Sequence, residues 1–93
     1  MSLIAIVLTA FVALLHLGFM VLEMFFCTKP LGRRVFGLTE QRALDSAQLA
    51  ANQGLYNGFL AAGLVWGLLI GDRAICLFFL GCVVVAGLFG AAT

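Results

Sequence analysis

Charge is what this sequence has least of. Only 10% of its 93 residues are charged, where a soluble domain carries about a quarter. So few charges cannot cover the surface of a water-soluble globule, which excludes a soluble enzyme, a disordered tail and a secreted disulfide scaffold. The net charge is +1, and no Lys/Arg patch is interleaved with aromatics, so nucleic acid is not an expected partner. There is one histidine, His16, and three cysteines, Cys27, Cys76 and Cys82. None of them shows the short spacing that metal ligation needs. Neither a metal nor another cofactor is expected, and the cysteines read as small apolar packing residues.

Apolar residues make up 65% of the chain and the mean hydropathy is +1.21. A helix that crosses a bilayer needs about 20 mostly apolar residues. Three runs are long enough: Leu3 to Cys27, broken only by His16 and Glu23; Leu49 to Ile70; and Ala74 to Ala92. The expected architecture is a single all-α domain, an integral membrane bundle with spans near 3–27, 46–70 and 74–92. Gly71-Asp72-Arg73 is a tight turn that makes the last two spans an antiparallel hairpin. Pro30 and Gly32 are expected to stop the first helix and open a polar loop over 28–45. Asp45 and Gln48 resemble a capping box that would start the second. The first run lacks a basic n-region and is longer than a signal-peptide core, so it reads as a retained span.

Basic residues orient such a bundle. The loop carries Lys29, Arg33, Arg34 and Arg42, and the second turn only Arg73. This bias places the loop on the cytoplasmic side of the inner membrane and the N-terminus outside the cytoplasm. Arg33 and Arg34 could also touch anionic lipid.

The polar residues inside the spans are costly, at about 2.5–3.5 kcal/mol for a charge at the bilayer centre on insertion scales. His16 and Glu23 are seven apart, which puts them within about 20° on one helix stripe. Asn52 with Tyr56, and Gln53 with Asn57, form two adjacent stripes on the second span. At 1.5 Å per residue, Glu23 and Gln53 each lie roughly 6 Å in from the loop, Asn57 roughly 12 Å and His16 roughly 16 Å. Glu23 should therefore meet the level of Asn52, Gln53 and Tyr56, and His16 should approach Asn57. These six residues are the candidate site for a ligand or a proton. The same residue types also join helices by simple hydrogen bonds, and Tyr56 suits an interfacial anchor.

Gly54, Gly58 and Ala62, and Gly87 with Ala91, recur at four-residue spacing. Such faces let helices approach closely, within one chain or between copies. Phe25, Phe26, Phe36, Trp66, Phe78, Phe79 and Phe89 read as lipid-facing or belt aromatics.

The run His16-Leu-Gly-Phe-Met-Val-Leu-Glu23-Met-Phe, the Phe36-Gly-Leu segment and Asn52-Gln-Gly-Leu-Tyr-Asn-Gly-Phe-Leu-Ala-Ala-Gly63 resemble a small bacterial and fungal membrane family, domain of unknown function 1304. Phe79-Leu-Gly-Cys-Val-Val-Val-Ala-Gly87 and Gly90-Ala-Ala-Thr93 extend the likeness over nearly the whole chain. The resemblance implies membrane residence and four helices in a complete protomer, with no established activity. This chain, ending at Thr93, leaves the fourth helix to a further segment or to a partner.

Three functions fit these features. One is a module that binds or transports a small molecule or a proton, with the bilayer and a second copy as its partners. A second is a membrane-embedded acid/base enzyme of the isomerase kind, with Glu23 and His16 as the proton-shifting pair and Tyr56 or Asn57 stabilising charge. The third is a structural subunit of a membrane complex, its polar groups holding helices together.

Overall fold

The computed structural model of the chain describes residues 1–92; Thr93, the last residue of the family-like C-terminal motif, lies outside them. Among the described residues all regular structure is helical: α1 (Leu3–Phe25), α2 (Pro30–Phe36), α3 (Glu40–Ile70) and α4 (Arg73–Ala92). Three of these, α1, α3 and α4, are long and apolar enough to cross a membrane. Leu3, Leu14, Leu69 and Phe89 are each at least two-thirds exposed. A surface this apolar needs lipid as its solvent, and the chain is a membrane protein.

Each long helix starts on a side-chain cap. Ser2 Oγ accepts the Ala5 N–H at 3.1 Å, Thr39 Oγ1 accepts the Arg42 N–H at 3.2 Å, and Asp72 Oδ1 accepts the Ile75 N–H at 3.2 Å. Each satisfies an amide that the helix itself cannot. Gly37 (φ 66°) and Gly71 (φ 66°) end α2 and α3 in the left-handed conformation that glycine adopts without penalty. After Gly71 the Asp72 N–H reaches back to the Gly67 carbonyl at 2.9 Å and the Gly71 N–H to Leu68 at 3.2 Å. This is the paired closure of a Schellman turn.

The segment 28–45 departs from the expected loop. Pro30 sits in the first turn of α2, where its fixed φ suits a helix start and its missing N–H costs nothing. It opens a helix as well as closing one. The capping box on Asp45 and Gln48 does not form. Helix α3 already runs from Glu40, and Asp45 instead accepts a hydrogen bond from Gln41 Nε2 at 2.9 Å, one turn earlier. At 31 residues, α3 is about 46 Å long, against about 30 Å of hydrocarbon. Its polar first turns have room outside the apolar layer.

The chain divides into two compact units. One comprises Leu15–Phe59. In it the second half of α1 packs antiparallel to the first half of α3. A Cβ on Gly54 would lie 2.7 Å from Met24 Cγ, and one on Gly58 would lie 2.7 Å from Met20 Sδ. The two methionines, four apart, therefore seat over two glycines, four apart. A Cβ on Gly32 would fall 1.8 Å from the Phe26 carbonyl oxygen, so the turn into α2 admits only glycine. Ala43 is fully buried beside Cys27.

The other unit comprises Met1–Leu14 and the chain from Leu60 onward. Here α3 and α4 form the expected hairpin. Gly63 faces the ring of Phe79, and Gly67 faces Cys76, with nearest approaches of 2.4 and 2.7 Å to a built Cβ. Leu64, Ala61 and Cys76 form its core. Phe79 is thus a packing residue and not a lipid-facing one.

Replacing Gly32 by Ala forces backbone apart and should cost about 1–3 kcal/mol, the usual range for overpacking. Gly81→Ala meets nothing within 4 Å and should stabilise α4 by about 0.5–1 kcal/mol. Unfolding midpoints in detergent, followed by circular dichroism, check the pair; equal midpoints would contradict the packing described.

Candidate functional site

Glu23 lies on the buried stripe of the second half of α1, in line with His16, Met20 and Cys27. It is 9% exposed. The seating of Met20 and Met24 over Gly58 and Gly54 sets the register, and that register brings Asn57 of α3 to the Glu23 carboxyl. Asn57 Nδ2 donates to Glu23 Oε1 at 2.5 Å. Oε2 makes no hydrogen bond among the described residues, and the side chain borders an open cleft of about 310 Å³. Cys27, Phe36, Ser46, Leu49 and Gln53 line the same cleft.

The site is narrower than the sequence suggested. Glu23 bonds Asn57 and shares its cleft with Gln53. The partner of Glu23 is Asn57, a turn further along α3 than the expected level of Asn52 and Gln53. That level was counted from the first apolar residue, Leu49, whereas contact register follows the small residues that let the helices touch. Asn52 lines a separate cleft with Met24, Gln48 and Leu55. Tyr56 is 58% exposed and stacks edge-on against Phe59, with ring centroids 6.1 Å apart. His16 is half-buried, edge-on to Phe19 at 5.5 Å, and lies about 10 Å from Glu23 along α1.

Of the glycine faces, Gly54 and Gly58 are used within the chain, and Ala62 is exposed beside the buried Gly63. Gly87 has nothing within 4 Å of a built Cβ and Ala91 is exposed.

Ser46, Phe36 and Leu38 are among the lining residues that the sequence does not single out for the site. Ser46 borders the cleft, and its hydroxyl donates to the Arg42 carbonyl at 2.7 Å. Phe36 and Leu38 arrive from the end of α2, an element that hydropathy does not reveal.

A family model described as a protein of unknown function, DUF1304, matches residues 10–93. The chain belongs to this family. No curated protein and no solved structure matches it. Every residue of the Glu23 cleft falls inside the matched DUF1304 segment. The family's description assigns no activity. A buried carboxyl with one oxygen held by an amide and the other beside open space can accept a proton or a hydrogen bond, or face a cation.

The Glu23–Asn57 bond should be measurable as a coupling. Asn57→Leu or Glu23→Leu alone strands a buried polar group, at about 1–3 kcal/mol. The double replacement should recover part of that loss, with a coupling of about 0.6–1.7 kcal/mol. Denaturation in mixed micelles gives the four stabilities; strictly additive losses would rule the bond out.

Proposed function

We propose that this DUF1304 protein is a small binding or transport module for a proton or a small cationic or hydrogen-bond-donating molecule, taken up in the cleft beside Glu23. The observation that carries this reading is the Glu23 carboxyl, buried in a candidate span with Oε1 fixed by Asn57 and Oε2 unpartnered beside the cleft. A group serving only to join helices would have both oxygens engaged or sealed against protein. An ionisable residue inside a span is a functional group by default, because its cost is otherwise unrecovered. Gln53 and Ser46 supply polar atoms in the same wall.

We place the protein in the inner cell membrane, with α2 and the first turns of α3 on the cytoplasmic side. Lys29, Arg33, Arg34 and Arg42 against Arg73 alone support this orientation. Self-association through α4 is part of the proposal; the open Gly87 and the exposed Ala91 support it.

Glu23→Gln separates the roles. Its amide oxygen can still accept from Asn57, so the helices should stay packed, while proton exchange is lost. In proteoliposomes with an imposed pH gradient, the wild type should accumulate tetraphenylphosphonium and dissipate the gradient, and Glu23→Gln should do neither. Identical traces for the two proteins would contradict the proposal.

The orientation has its own test. In intact cells a membrane-impermeant maleimide should label Arg73→Cys and leave Arg34→Cys unlabelled until the membrane is opened. The reverse pattern would invert the topology.

A further inference from the structure

A further cavity lies in the unit that does not contain Glu23. It measures about 350 Å³ and is bordered by Ser2, Ala5 and Thr9 of the α1 end and by Arg73, Cys76, Leu77 and Leu80 of α4. Its mouth is formed by the start of α1 and by Arg73. Ser2 caps α1 without adding a charge, so the α1 N-terminus keeps the partial positive charge of its unpaired amides at this cavity, whereas the Asp72 carboxylate that caps α4 offsets that of α4. Neither helix carries an acidic residue in its first turn. Arg73 adds a full positive charge and makes no hydrogen bond or ion pair among the described residues. The one nearby carboxylate, Asp72, is turned to the Ile75 amide and does not line the cavity.

The inner end differs. Thr9 is 4% exposed, lines the cavity and makes no hydrogen bond among the described residues. The hydroxyl is not sealed against protein but keeps access to the cavity, where it is free to donate to or accept from a bound group. Thr9 lies about 10 Å from Ser2 along the helix. The walls between the two levels are Ala5, Cys76, Leu77 and Leu80, which are apolar. The sequence of environments is therefore cation at the rim, apolar wall, hydroxyl at depth.

We propose that this cavity binds the head of an anionic phospholipid. The phosphate sits against the Arg73 guanidinium and the α1 N-terminus, and an ester carbonyl a few bonds below it accepts a hydrogen bond from the Thr9 hydroxyl. The acyl chain continues along Leu77 and Leu80. Arginine suits a phosphate because its planar fork can donate two parallel hydrogen bonds. A free phosphate would satisfy the rim alone and leave Thr9 unpaired, which is why the lipid is the favoured source of the anion. This site shares no residue with the Glu23 cleft and does not depend on the function proposed for it.

Native mass spectrometry of the detergent-extracted full chain tests the site, with phosphatidylglycerol, diacylglycerol and inorganic phosphate as probes. The wild type should bind phosphatidylglycerol in preference to diacylglycerol. Arg73→Gln should weaken that binding about tenfold, as expected for one charge-assisted hydrogen bond. Thr9→Val, which keeps the side-chain shape, should weaken it about fivefold, and Thr9→Ser should restore it. Thr9→Ser and the exposed Arg73→Gln keep the test decisive if Thr9→Val folds poorly. Unchanged binding in Arg73→Gln, loss of binding in Thr9→Ser as large as in Thr9→Val, equal binding of diacylglycerol, or displacement of the lipid by inorganic phosphate would each overturn the proposal.

Discussion

A carboxyl group inside a membrane span has to find its partners within the protein, because lipid offers none. In this chain Glu23 meets that requirement through Asn57, and much of the unit around it follows. The bond demands that α1 and α3 approach at that level, and approach demands glycine where the methionines seat. Gly54 under Met24 and Gly58 under Met20 supply the space. The same antiparallel contact needs a compact return between the helices. Gly32, packed against the Phe26 carbonyl, and Pro30 at the start of α2 make that return.

The consequence for chemistry is an asymmetric carboxyl. One oxygen is fixed in direction by the amide and the other borders a cleft whose wall changes from apolar Phe36 and Leu49 to polar Ser46 and Gln53. Orientation by a neighbour that is itself held in a packed helix is what distinguishes a positioned acid from a solvated one. The polar groups on the outer side of α3, Asn52 and Tyr56, belong to different surroundings. Shared helix face and shared depth were not enough to gather all six candidates.

The three long helices were legible because twenty or so apolar residues admit few other readings, and the hairpin was legible from the glycine and two charges at Gly71-Asp72-Arg73. The burial of Glu23 against α3 followed from cost alone. What the residues did not disclose has specific causes. Helix α2 is seven residues long, too short for a periodic signal, and its proline serves equally as a stop and a start. Thr39 outcompeted Asp45 as a cap because Glu40 to Leu44 are good helix formers. The partner of Glu23 was misplaced by a turn because depth in the bilayer and register between helices are set by different residues. Glycine spacing disclosed close approach at Gly54 and Gly58 without saying that α1 of the same chain fills the space. Thr9 gave no sign in the sequence, since a lone threonine in an apolar run is unremarked until its neighbours are known.

The bond between Glu23 and Asn57 is what the rest of this unit is built around. Solid-state NMR on protein labelled with carbon-13 at glutamate and nitrogen-15 at asparagine, reconstituted in lipid bilayers, addresses it directly. The Asn57 side-chain nitrogen should correlate with the Glu23 carboxyl carbon at hydrogen-bond distance, and the correlation should vanish in Asn57→Leu. A spectrum in which the Glu23 carboxyl correlates only with lipid or water, with the Asn57 amide assigned and elsewhere, would contradict the account.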